Sequence, residues 1–232
     1  MSSQNNALVT GTSGELGAAI AARLASEGYR VVGLDLRAPT VPGSWQHYSC
    51  DLTDIAAITA TLEQISQDVG PLRLLVNNAA YYNSISFWEL SPQQIQRTMA
   101  VNVTAVLYLC QQVANQMRNS GGGNIVNIAS IAGRSASSQI DYGASKAAII
   151  NMTATMGRLL AEHGIRINAI APAMIDAGMG KILPPAVKER YLQTTPLKRA
   201  AHPNEIANVV AFLASDEASY MTGSTVDVTG GL

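Results

Sequence analysis

Cysteine is nearly absent. Cys50 and Cys110 are the two in 232 residues, too few for a disulfide framework, so a reducing, cytoplasmic setting is expected. Histidine is as sparse: His47, His163 and His202 lie far apart with no metal-ligand spacing, so no metal is expected. Charged residues make up 13% of the chain and balance to a net −1, which leaves no electrostatic footprint for nucleic acid or an acidic membrane. No apolar run reaches the roughly 18 residues that a membrane span needs. The opening MSSQNNALV lacks the basic stretch and apolar stretch of a secretory leader. Neither a repeat of solenoid period nor a low-complexity linker is present.

What is present is apolar. Hydrophobic residues are 47% of the sequence, enough for a large core, and the length suits one domain spanning 1–232. Ala7–Thr10 reads as a buried strand stopped by Gly11, then comes TGTSGELG from Thr10 to Gly17, then an amphipathic helix ending at Gly28. Strand, glycine turn and helix in that order form the context of a dinucleotide fingerprint. The glycines let backbone approach a pyrophosphate, and the helix start offers free N–H groups. A second strand, Arg30–Asp35, ends in a carboxylate about 20 residues further on, placed to accept from the ribose hydroxyls of NAD. That charge would repel the 2′-phosphate of NADP, although Arg37 nearby could accommodate one. NAD is therefore expected over NADP.

Further strands are expected at Trp45–Asp51, Leu72–Asn77, Asn124–Ala129, Arg166–Ala171 and Ser224–Thr229. Helices are expected at Asp54–Gln67, from about Pro92 to Met117 with Asn102 inside it, at Tyr142–Ala161, and from Pro203 to Leu213. Asn is a poor mid-helix residue, so Asn102 is a candidate for a kink that binds a water. Residues 173–202 read as an irregular lid segment with a short helix near Pro184–Gln193. Strands alternating with helices imply an α/β fold: a doubly wound parallel sheet of about seven strands, with helices on both faces and a ligand at the strands' carboxyl ends.

The stretch Ser130–Lys146 sits at one such end. Tyr142 and Lys146 are four apart and share a helix face. A phenol with pKa near 10 is a poor acid or base at neutral pH, and a neighbouring ammonium lowers that value. Tyr142 is thus a candidate general acid/base, with Ser130 placed to hydrogen-bond the same substrate oxygen. The helix beyond it, with Ala147, Ile149, Ile150, Met152, Met156, Leu159 and Leu160, is apolar nearly all round, which predicts burial against the sheet on one side and a second subunit on the other.

Taken together, Thr10-Gly11…Gly17, Asp51, Asn77-Asn78-Ala79, Asn102, Ser130, Tyr142, Lys146, Arg166–Pro172, Tyr220–Gly223 and Gly230-Gly231 resemble the classical short-chain dehydrogenases/reductases along nearly the whole chain. The resemblance implies a Rossmann-type fold, a homotetramer and hydride transfer between a dinucleotide and a small-molecule alcohol or ketone. It implies that Tyr142 is the acid/base, that Ser130 polarises the substrate oxygen, and that Lys146 holds the nicotinamide ribose and depresses the Tyr142 pKa. Asn102 would hold a water that links Lys146 to solvent. The expected cofactor wall is Gly11, Thr12, Ser13, Glu15, Leu16, Asp35, Leu36, Asp51, Leu52, Asn78, Ala79, Tyr142, Lys146, Pro172 and Ile175. The expected substrate wall is Ser130, Tyr81, Arg134, Gln139 and Met174, with Ala80, Tyr82, Ser135, Ile140 and Ile175 beside them.

The sequence departs from the family pattern in the turn, where Glu15 stands in place of the middle glycine and the spacing becomes TGxxGxxG. A carboxylate in the first turn of that helix favours the empty dipole and disfavours a phosphate. Pro172-Ala173 replaces Pro-Gly, Ala177 replaces a threonine, and the serine-to-tyrosine spacing is one residue short. The reading is an NAD-dependent enzyme interconverting a secondary alcohol and a ketone. One rival is a 3-oxoacyl thioester reductase using NADPH; the other is a non-catalytic binding or regulatory protein on the same fold, with Glu15 closing the site.

Overall fold

The structure is a computed structural model that describes residues 5–39 and 45–232. The leader reading of the first residues rests partly on 1–4, outside the described residues. Seven strands form one parallel sheet: β1 (Asn6–Thr10), β2 (Arg30–Asp35), β3 (Gln46–Ser49), β4 (Leu72–Asn77), β5 (Gly123–Ile128), β6 (Ile165–Pro172) and β7 (Thr225–Val228). Their order is β3-β2-β1-β4-β5-β6-β7. The order reverses between β1 and β4, and in such sheets the crevice at that point takes the ligand. Helices α1 (Glu15–Ser26) and α2 (Ile55–Val69) follow β1 and β3. The long connection after β4 carries α3 (Pro92–Met99) and α4 (Ala105–Asn119), and α5 (Ile140–Leu160) follows β5. The segment after β6 holds α6 (Met179–Ile182) and α7 (Pro185–Thr194), and α8 (Pro203–Ala214) precedes β7.

Alternation along the strands divides the core. Leu8, Val32, Leu34 and Leu75 pack against α2, α4 and α5, while Ala7, Val9, Val31 and Val76 pack against α1 and α8. Both faces are thus buried, which is why these strands read as continuous apolar runs. No helix among the described residues is long and apolar enough to cross a membrane.

One expectation changes and two gain detail. The long helix 92–117 is two helices joined by a π turn, Ala100–Thr104, with Asn102 at its centre and 1% exposed. A π turn leaves backbone groups out of the regular ladder and often marks a functional site. Second, α5 is not buried all round. Its inner stripe is Tyr142, Lys146, Ile149, Thr153 and Gly157, three of them polar, whereas Ala147, Asn151, Ala154 and Leu159 are exposed in the single chain. Third, the segment 173–202 is anchored at both ends: Ile175 bridges Ala201, with Asp176 N–H donating to Ala201 O at 2.9 Å and Ala201 N–H to Met174 O at 2.9 Å.

Candidate active site

The glycine turn is held by close approach. Gly11 has φ +75°, a conformation that favours glycine, and a Cβ there would lie 2.7 Å from Asn78 Nδ2. A Cβ on Gly17 would lie 2.0 Å from Gly11 O, so α1 begins directly against the turn. Asn78 closes the same corner from β4, donating to Thr10 O at 2.9 Å, while Thr10 Oγ1 accepts from Asn78 N–H and Ala79 N–H. Gly14 caps α1 with no side-chain hydrogen bond, and nothing but Gly11 O comes within 4 Å of where its Cβ would be. An uncapped helix start beside open glycine backbone fits the pyrophosphate of a dinucleotide.

From this turn a cleft of about 620 Å³ runs across the sheet's carboxyl edge to Ser130 and Tyr142. Gly11, Glu15, Leu16, Asp35, Asn78 and Ala79 line one end. Ser130, Tyr142, Lys146, Pro172, Met174 and Ile175 line the other, with Gln139 and Tyr82.

The chemistry-bearing end is fixed from below. Asn77 Nδ2 donates to Asn127 Oδ1 at 2.8 Å, and Asn127 Nδ2 donates to Thr153 Oγ1 at 2.9 Å. This buried chain ties β4 and β5 to α5, which carries Lys146 two turns and Tyr142 three turns before Thr153 on the same inward stripe. Lys146 Nζ donates to Ile128 O at 2.7 Å and sits 5.6 Å from the Tyr142 ring centroid. Asn102 holds the opposite wall: its Oδ1 accepts from Tyr81 N–H at 2.7 Å, and its Nδ2 donates to Tyr81 O at 2.9 Å and Ser145 Oγ at 3.0 Å. Its side chain is thus engaged by protein partners at both amide atoms.

Burial dominates the electrostatics at this end. Burial pushes the Tyr142 phenol up to about 12, hydrogen bonding with Ser130 pulls it down, and Tyr82 pushes it up again. Burial pulls Lys146 down to about 8. In this state desolvation outweighs the downward pull that the lysine was expected to exert on the phenol.

Several expected site residues stand elsewhere. Arg134 is turned from the cleft by an ion pair with Asp227 at 2.7 Å and a hydrogen bond to Thr225 O at 3.2 Å. The Tyr81 ring lies under the Arg97 guanidinium, 4.7 Å from its centroid, and Tyr82 takes its place in the wall. Ser135 and Ile140 are exposed outside the cleft lining. Thr12 is buried behind the turn, its hydroxyl against Gly33. Ser13, Leu36 and Leu52 do not line the cleft, and Asp51 is used locally, its Oδ1 accepting from Thr53 N–H and Oγ1, both at 2.8 Å.

Glu15 is half exposed, and its carboxylate pairs with the Lys181 ammonium and accepts from Gly178 N–H at 3.1 Å. The wall that sequence reading missed lies on α6, α7 and the turn between them: Met179, Leu183, Val187 and Tyr191, each four residues after the last. That spacing was available as a signal, but Pro184 and Pro185 interrupt it.

The sequence pattern of the family described as Enoyl-(Acyl carrier protein) reductase matches residues 11–232. A 3-oxoacyl-[acyl-carrier-protein] reductase of Thermotoga maritima is 34% identical over 236 residues, covering 97% of this chain and 96% of the relative. An acetoacetyl-CoA reductase of Rhizobium meliloti is 36% identical over 233 residues, covering 97% of each. The solved 3-ketoacyl-(acyl-carrier-protein) reductase from Brucella melitensis complexed with NADH superposes with a TM-score of 0.89 at 26% identity, covering 98% of this chain and 97% of the other.

These relatives overturn the expected NAD preference, because they carry the thioester-reductase activity that the sequence reading paired with NADPH. The geometry supplies a reason why Asp35 misled. One of its oxygens accepts from Ser13 N–H at 3.0 Å and the other from Arg37 N–H at 3.3 Å, so each already holds a backbone donor. Arg37 lines the cleft beside it.

Proposed function

Because this chain belongs to the short-chain dehydrogenase/reductase family and is an NAD(P)-linked oxidoreductase, we propose that it reduces a 3-oxoacyl thioester to the 3-hydroxyacyl thioester with NADPH. The observation that carries this reading is one continuous cleft joining the glycine turn to Ser130, Tyr142 and Lys146. The dinucleotide, when bound, supplies the hydride.

The residues manage the oxygen and its proton. The Ser130 hydroxyl donates to the 3-oxo oxygen and holds it beside Tyr142. The Tyr142 phenol, kept protonated at neutral pH by a pKa near 12, delivers its proton to that oxygen as the alcohol forms. Lys146 spends one donor on Ile128 O and has others for the nicotinamide ribose, and its charge steadies the phenolate left behind. Asn102 pins Tyr81 from both sides and so holds the wall opposite Lys146 in place. On the cofactor wall, Gly11, Leu16, Asn78, Ala79, Pro172 and Ile175 shape the channel, and Arg37 meets the 2′-phosphate.

The apolar row Met179, Leu183, Val187 with Met174 supports an acyl chain as substrate, and the buried Oε1 of Gln139, which has no partner, can accept from a polar group on it. The exposed Ala147, Ala154 and Leu159 of α5 support a homotetramer, which light scattering tests. The function itself is tested by following NADPH oxidation with acetoacetyl-CoA and, in parallel, with simple ketones. A higher kcat/KM for the thioester is expected. Turnover of ketones with none of the thioester would return the chain to the alcohol/ketone reading.

A further inference from the structure

Glu15 is the first residue of α1, at the end of the helix where the proposed pyrophosphate lies. A carboxylate there opposes an anionic ligand through its own charge. Both of its oxygens are nevertheless occupied from the far wall of the cleft, one by Lys181 Nζ and the other by Gly178 N–H at 3.1 Å. These partners lie 166 and 163 residues away in sequence.

The receiving wall is shaped for this contact. Gly178 has φ +47° with nothing within 4 Å of a Cβ, so it is glycine for conformation, not for space, and that conformation presents its N–H to Glu15. Two residues on, a Cβ at Gly180 would lie 1.9 Å from Ile175 O, so α6 rests directly on the chain leaving β6. Lys181 is therefore held opposite Glu15 by the same turn that carries the cleft residues Met179 and Leu183. The Glu15 carboxyl is lowered chiefly by the Lys181 hydrogen bond, and the Lys181 ammonium is raised chiefly by the reciprocal one.

We propose that Lys181 is a positioning residue that sets dinucleotide affinity by acting through Glu15: it draws the carboxylate across the cleft and cancels its charge, leaving the start of α1 open to the pyrophosphate. Lys181 does not itself contact the dinucleotide. The family's middle glycine is thus replaced by a carboxylate together with a distant lysine that masks it. The inference rests on the reading of this cleft as a dinucleotide site.

The test is a double-mutant cycle read by the Kd for NADPH, from titration of protein fluorescence at low ionic strength. Lys181→Met uncovers the carboxylate and weakens binding by roughly three- to fivefold, the scale of an exposed pair acting on a neighbouring charge. Glu15→Gln alone binds as tightly as the wild type or tighter. Glu15→Gln combined with Lys181→Met restores the wild-type Kd, and the loss in Lys181→Met shrinks as salt is added. A double variant as weak as Lys181→Met would mean that the lysine acts on the dinucleotide directly and would overturn the proposal. So would a Kd that Lys181→Met leaves unchanged. Wild-type protein that binds no NADPH would overturn the proposed function and this inference with it, whereas binding without the cycle's rescue would overturn the inference alone.

Discussion

The Tyr82 ring stands edge-on to the Tyr142 ring, with centroids 5.4 Å apart and planes at 85°. An edge-to-face pair of this kind fixes the phenol's plane as well as its position. Tyr82 itself is placed by its neighbours. Asn102 grips the backbone of Tyr81, and the Asn83 amide donates to the buried Asp141 carboxylate at 2.8 Å. The acid/base candidate is therefore aimed by a loop that both α5 and the π turn hold.

Removing that edge should cost turnover before binding. Tyr82→Ala is expected to lower kcat by up to about tenfold, the scale of one aromatic pair, with the Kd for NADPH little changed. Tyr82→Phe keeps the ring and should behave as wild type. A steady-state comparison of the three proteins with acetoacetyl-CoA checks this; equal kcat in all of them would remove Tyr82 from the aiming of Tyr142.

Asp141 carries a structural load one residue before the phenol. It is 6% exposed, and its Oδ2 accepts from both Asn83 and Thr98. Asp141→Ala leaves the buried Asn83 amide without its acceptor and should cost about 1–3 kcal/mol in urea unfolding. Stability at the wild-type level would show that the loop does not depend on this carboxylate.

Lys146 predicts a rise in stability with pH. Its folded pKa, about 8, lies below its ordinary value of 10.5. Between those values the unfolded chain holds a proton that the native state has released, so unfolding becomes harder as pH rises. The contribution is complete above 10.5 and is lost as pH falls through about 8. Tyr142 acts in the opposite sense from pH 10 to about 12, where the native phenol keeps a proton that the unfolded one has lost. Between pH 8 and pH 10 the dinucleotide-free wild type should gain up to about 3 kcal/mol relative to Lys146→Met in unfolding curves; the buried Cys110 thiol, pushed up to about 12, opposes the rise above pH 9 equally in both proteins. Profiles that run parallel in the two proteins would contradict the burial of this ammonium.

How much of this was legible depended on how local each cause is. The four-residue step from Tyr142 to Lys146 is a helix repeat, and the apolar strands carry their burial on their face, so the sheet and the chemistry-bearing end could be read directly. The glycine turn was legible because the positive φ of Gly11 and the approach of Gly17 to Gly11 O, six residues away, are local demands, although Asn78 of β4 crowds both from afar. Arg134 and Tyr81 were misplaced because Asp227 and Arg97, which decide where they point, belong to other elements. Asp35 looked free for a ribose because its engagement by Ser13 and Arg37 N–H groups is a matter of folded backbone, not of residue type. Glu15 looked like an obstacle because its masking lysine sits 166 residues later. Asn102 gave half its signal: the sequence marked it as out of place in a helix, and the structure answers with a π turn and a side chain that holds Tyr81 and Ser145.

The central claim is that Tyr142 delivers the proton in a reduction that draws on NADPH. It is tested most directly by measuring NADPH oxidation with acetoacetyl-CoA for the wild type and Tyr142→Phe, with NADPH binding measured on the same preparations. The account predicts a fall in kcat of about 10²–10⁴-fold in the variant with its Kd for NADPH unchanged. Turnover retained in Tyr142→Phe would contradict it.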